Sequence, residues 1–145
     1  MDTFYWAKRV ALAGTGLFAG IGLTVSYVGV PTVKATSDPL PSFLVLYTRG
    51  SHIAITTILV STFAGLLEYY ETHQPKYLYG ALLSFVSAPI TAIFIMPLNK
   101  RLSNLSREKG DTYDRALVQG LVDKWASLQR LRAIAGALAF IVQLM

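Results

Sequence analysis

The chain is partitioned by its charges. Residues 10–33, 50–67 and 77–99 contain no Asp, Glu, Lys or Arg. Each block is long enough, or nearly so, to cross a hydrocarbon core of about 30 Å as a helix, which takes roughly 20 residues. Lipid offers no hydrogen bonds, so each block must satisfy its own backbone, and a helix does this within one segment. A fourth helical pattern starts near residue 112. Only residues 133–145 of it are free of charge. A span there has to begin before Trp125 and carry Arg130 and Arg132 into or near the membrane. The expected architecture is therefore all-α, a four-transmembrane-helix bundle forming one membrane-embedded domain. The expected helices lie at about 7–31, 43–70, 76–98 and 114–145, in an integral, multi-pass membrane protein.

Proline and polar residues punctuate this pattern. Pro31 marks the end of the first helix and Pro97 closes the third, while Pro89 kinks the third from inside. Residues 32–41 and 100–115 read as loops. The short connection from Glu71 to Pro75 makes its flanking helices antiparallel neighbours. Glu68 and Glu71 read as a solvated helix end. Lys8 and Arg9 precede an apolar run, as in a signal peptide. The run exceeds the usual h-region of about 7–15 residues, however, and no small-x-small site closes it. Gly16 and Gly20 form a GxxxG, which allows close helix approach within the bundle or in a homo-oligomer. Ten Lys or Arg lie in or beside the first and third connections, which the positive-inside rule places in the cytoplasm.

Composition excludes several functions. Hydrophobic residues are 53% and charged residues 14%, too apolar for a disordered chain or an ordinary soluble enzyme. The net charge is +5, but no basic stripe with interleaved aromatics appears, so no nucleic-acid partner is expected. The absence of cysteine excludes disulfides, iron–sulfur clusters and thiol catalysis. His52 and His73 are the only histidines, and no HxxxH, ExxH pair, GxGxxG, P-loop or GxSxG occurs. No metal site is expected.

Polar residues at membrane depth are costly, so each is a candidate for function. Trp125, Gln129 and Arg132 are spaced i, i+4, i+7 and fall within roughly 60° on one helix face. An indole N–H, an amide and a fixed cation then suit an anionic or enolate-like oxygen. The same residues also fit a structural use, with Arg132 snorkelling to the interface and Trp125 in an aromatic belt. Asn99, beside Lys100 and Arg101, either contacts a ligand or caps a helix C-terminus. Tyr47, Arg49 and His52 form a third group. His52 could serve as a base and Arg49 could pair an acidic group, or all three could be interfacial residues.

Two strings carry a family resemblance. Residues 88–102, with Ala88-Pro89-Ile90-Thr91 and Met96-Pro97-Leu98-Asn99-Lys100-Arg101-Leu102, form the first. Residues 125–132, Trp125-Ala126-Ser127-Leu128-Gln129-Arg130-Leu131-Arg132, form the second. In order and spacing they resemble the signature blocks of the anthrone oxygenase-like family of small four-helix membrane proteins. Residues 14–31 and the Tyr47-x-x-Gly50 region are also similar, so the resemblance covers nearly the whole chain. It implies a membrane-bound oxygenase that converts a polyketide anthrone to an anthraquinone with dioxygen and needs no cofactor. The implied partners are an aromatic polyketide, dioxygen and membrane lipid. The resemblance carries Asn99, Trp125 and Arg132 over as site residues. Asn99 would bond a substrate oxygen, Arg132 would stabilise the anion, and Trp125 would stack or donate. Gln129 departs from the His or Asn common at its position and cannot act as a base, which passes the proton step to His52, Tyr47 or water. The alternative is a non-catalytic membrane scaffold or assembly protein with the same fold.

Overall fold

The computed structural model describes residues 5–145. Four long helices make up almost all of it: α1 (Tyr5–Ala35), α2 (Pro39–Thr72), α3 (Pro75–Lys109) and α4 (Arg115–Leu144). Each is long and apolar enough to span a membrane. They form an antiparallel bundle in which α1 and α3 each pack on both α2 and α4, while diagonal contacts are sparse.

The turns have local causes. His73 takes a left-handed conformation that ends α2, and Pro75 opens α3 where its missing N–H costs nothing. Gly110, with φ of 51°, ends α3. Asp114 caps α4 by accepting hydrogen bonds from the N–H groups of Ala116 and Leu117. Near this end the Tyr113 hydroxyl donates to Asp38, and Lys34 pairs with Asp123, tying the first connection to the last helix.

Three expectations about helix limits are corrected. Pro31 does not end α1, Pro97 does not close α3, and residues 100–109 are helix rather than loop. Each proline follows a five-residue π turn by two positions: Val25–Gly29 before Pro31, and Thr91–Ile95 before Pro97. A proline ring clashes with the carbonyl four residues back in a regular α-helix. The wider i→i+5 turn gives a helix one way past that clash without stopping. The Val30 and Met96 N–H groups bond five residues back, to the carbonyls of Val25 and Thr91.

The two halves of the bundle are filled by different side chains. In the half nearer the α2–α3 connection many buried residues are small, among them Ala7 and Ala11 of α1, Ser61 and Ala64 of α2, Ser84 of α3 and Ala139 of α4, although Tyr77 and Gln143 are also fully buried there. A Cβ added at Gly14 would sit 3.0 Å from that of Ser61, and one at Gly22 would sit 3.0 Å from the Ala133 backbone. These glycines set how closely α1 approaches α2 and α4. The GxxxG does not make the tightest contacts, because Gly20 faces open space and Gly16 meets only the ring edge of Phe140. In the other half the core is built from Leu40, Phe43, Leu98, Leu102, Val122 and Trp125. The outer surface carries large apolar residues such as Leu17, Leu59, Phe63, Phe85 and Ile93, as a lipid-facing surface requires.

Glu68 also departs from expectation. It is 7% exposed, not a solvated helix end, while Glu71 is exposed.

Candidate functional site

Between these two halves the four helices line a cavity of about 160 Å³. Both π turns border it, through Val25 of α1 and through Thr91 and Ile95 of α3. Such turns locally widen a helix and often accompany functional sites. The prolines that sequence reading takes as stops thus mark the two wall segments, and their matching position within uncharged spans was the signal available.

The α4 wall is the face that spacing predicts. Trp125, Gln129 and Arg132 all line the cavity and are 4%, 5% and 6% exposed. Arg132 does not snorkel outward and Trp125 does not sit in a surface belt. Asn99 lines the cavity from α3, is buried, and caps no helix end, because α3 continues to Lys109. Trp125 and Arg132 lie roughly 10 Å apart along the axis at 1.5 Å per residue. The polar wall therefore runs from near the charged end of the bundle inward.

Tyr47 completes this wall from α2. It stacks on Phe43 with ring centres 6.2 Å apart, and Phe43 meets Trp125 edge-on at 5.1 Å. The buried Phe43 ring thereby positions both aromatic groups. Arg49 and His52 do not join them. Residues 47, 50, 51, 54 and 55 of α2 line the cavity, a helical stripe from which positions 49 and 52 are displaced, and both are exposed. The expectation that His52 acts beside Asn99 and Arg132 does not fit this geometry. Sequence reading missed Ser51 and Thr91, two hydroxyls on the cavity wall. Each donates to its own helix, Ser51 to the Thr48 carbonyl at 3.2 Å and Thr91 to the Ser87 carbonyl at 2.7 Å, leaving oxygen lone pairs as acceptors.

The electrostatics of the wall are unbalanced. Arg132 donates from Nη1 to Gln129 Oε1 at 3.0 Å. Among the described residues no carboxylate lies within ion-pair distance of it. Arg132 Nε, Trp125 Nε1 and Asn99 Oδ1 are buried with no hydrogen-bond partner. An unsatisfied buried group costs about 1–3 kcal/mol, and more if charged. Two of the three, Arg132 Nε–H and Trp125 Nε1–H, are donors suited to an oxyanion or polarised carbonyl, and the third, Asn99 Oδ1, is an acceptor suited to a ligand O–H.

Ile55 of α2 and Met96 of α3 line the cavity yet are exposed on the outside of the bundle. The cavity therefore has a lateral mouth between α2 and α3. A closed apolar cavity of roughly 150 Å³ holds benzene. The enclosed volume here accommodates about one aromatic ring, and a larger planar ligand would extend through that mouth.

The family model for anthrone oxygenase matches residues 43–142, most of the chain. No curated protein and no solved structure matches it. The matched stretch contains all the polar residues of the cavity wall, and by this match the chain belongs to the anthrone oxygenase family and is a multi-pass integral membrane protein.

Proposed function

We propose that this protein is a membrane-bound oxygenase that converts an anthrone-type aromatic polyketide to the corresponding anthraquinone with dioxygen. The observation that carries the reading is the buried Arg132, without an acidic partner among the described residues, on a cavity wall it shares with Trp125 and Asn99. A guanidinium in that setting favours a ligand that becomes negative during reaction.

The chemistry needs little from the protein. Loss of one proton from the anthrone methylene gives an aromatic oxyanion. Arg132 Nε–H and Trp125 Nε1–H hold its oxygen, and Asn99 Oδ1 accepts a hydrogen bond from a neighbouring ring hydroxyl. The anion carbon transfers electrons to dioxygen and forms a C–O bond, giving a peroxide anion. That anion recovers the proton, and loss of water from the hydroperoxide leaves the quinone carbonyl. Anthrone plus dioxygen thus yields anthraquinone plus water. Gln129 orients Arg132 through its carbonyl. With His52 on the outer face, Tyr47 is the wall residue suited to pass the proton to and from water. The lateral mouth suits a flat, apolar substrate dissolved in the bilayer. The scaffold alternative calls for these polar residues at the surface of a fully packed bundle, and their burial around a cavity favours the oxygenase.

The test is oxygen uptake and quinone formation by membranes carrying the protein, with emodin anthrone as substrate and Arg132→Ala beside the wild type. The expected result is quinone formation above the spontaneous rate that falls to that rate in the variant. An inserted, folded wild-type protein with no excess over background refutes activity on this substrate class.

A further inference from the structure

A second cavity lies at the opposite end of the bundle. It has a volume of about 500 Å³ and opens between the first turns of α1 and the last turn of α2. Two cations of α1, Lys8 and Arg9, line one side, and two carboxylates of α2, Glu68 and Glu71, line the other. Opposite charges this close in the chain's architecture ordinarily pair. Among the described residues none of these four forms an ion pair, and all four line the cavity.

Glu68 is the telling member. The residue is 7% exposed, forms no ion pair among the described residues, and lines this cavity, the open space its carboxylate meets. A carboxylate held at the end of a membrane span, with a cavity as its open side, favours a ligand there that donates to it. The space beside it also holds the remedy for Lys8, an exposed cation facing the same volume. One ligand carrying an N–H donor cation and an anion would satisfy both walls.

We propose that this cavity binds a phosphoethanolamine group, as carried by the headgroup of phosphatidylethanolamine. The ammonium donates to Glu68 and Glu71, and the phosphate sits against Lys8 and Arg9. The site lies at helix ends, the depth at which headgroups reside, and Leu12 supplies an apolar inner wall. The aromatic residues argue for a protonated amine over choline. A quaternary ammonium is recognised by open aromatic faces. Here the Arg9 guanidinium covers a face of Tyr5 at 4.4 Å, and the Lys76 ammonium lies over Tyr77 at 5.3 Å. The carboxylates remain as the cation's partners, and they reward a donor N–H that choline lacks.

The experiment is native mass spectrometry of the full chain with phosphatidylethanolamine, phosphatidylcholine and phosphatidylglycerol of matched acyl chains. Soluble phosphoethanolamine forms a fourth arm. Phosphatidylethanolamine should be retained about tenfold or more over the other two lipids, the worth of one charge-assisted hydrogen bond. Glu68→Gln should bring it level with phosphatidylcholine while the unfolding temperature in detergent alone stays near wild type. If that variant does not fold, Glu71→Gln and Lys8→Gln, both at exposed positions, should each weaken the preference. Displacement of the lipid by soluble phosphoethanolamine identifies the headgroup as sufficient, and retention against it identifies the whole lipid as the ligand. Equal retention of all three lipids, a preference for phosphatidylglycerol, or a preference unchanged in every variant overturns the proposal.

Discussion

Replacing Arg132 by methionine separates an arginine that holds the bundle together from one held ready for a ligand. The side chain is 6% exposed and its one hydrogen bond goes to Gln129. Removing it strands Gln129 Oε1, at a cost of about 1–3 kcal/mol. Against this stands the relief of burying an ion without a counter-charge, for which the effective penalty is several kcal/mol. Methionine fills much of the same volume, so little cavity cost is added. The balance makes Arg132→Met at least as stable as wild type, and more stable by about 1–3 kcal/mol if the full penalty is relieved. Activity should move the other way. Loss of an oxyanion donor typically lowers turnover by about 10²–10³. Arg132→Lys keeps a charge but lacks the planar fork, so it should recover only part of the rate. The assay pairs thermal unfolding in nanodiscs, followed by circular dichroism, with quinone formation at saturating anthrone. A variant that unfolds at markedly lower temperature while oxidising substrate at the wild-type rate would refute the reasoning.

Other positions test other links. Ile55→Phe narrows the lateral mouth between α2 and α3 and should lower kcat/KM with little effect on kcat; equal losses in both would place the substrate path elsewhere. Gly22→Val forces a side chain against the Ala133 backbone and should cost about 1–3 kcal/mol. Gly20→Val, which meets open space, should stay within about 0.5 kcal/mol, and the same unfolding assay compares the two. Tyr113→Phe removes the bond to Asp38 and should cost about 1 kcal/mol. Burial, then the Asp38 bond, raises the Tyr113 phenol above its ordinary value of 10.0. Its protonated form is the one the fold favours, so its contribution is intact below about pH 10 and fades as pH rises through the raised value. The gap between wild type and Tyr113→Phe should close over that range in a pH series of unfolding temperatures.

Three of the four spans were legible because lipid imposes a local rule, and the fourth only from its helical pattern with Arg130 and Arg132 taken into or near the membrane. A segment that crosses the hydrocarbon must be apolar over its own length, and that is visible in residues 10–33, 50–67 and 77–99 without knowledge of any neighbour. Part of the site was legible for a similar reason. The i, i+4, i+7 spacing of Trp125, Gln129 and Arg132 follows from helix geometry alone, and the structure sets all three on one cavity wall. Helix limits were less legible. Pro31 and Pro97 read as stops because a proline conflicts with a regular α-helix, and the π turns that carry both helices onward depend on the surrounding packing.

The sequence by itself determined that this chain forms four membrane-crossing helices with a cation, an indole and an amide sharing a face of the last. Only the tertiary structure decided which way each face points. In water an amphipathic pattern tells core from surface. In a bilayer the outside is as apolar as the inside, so hydropathy distinguishes neither Phe63, which faces outward, nor Phe43, which is buried. Close packing at Gly14 and Gly22 brings α1 against α2 and α4, while two π turns border the cavity. The packing of the four helices places Arg132 and Asn99 inside, His52 and Arg49 outside, and Glu68 in a buried position at the far end.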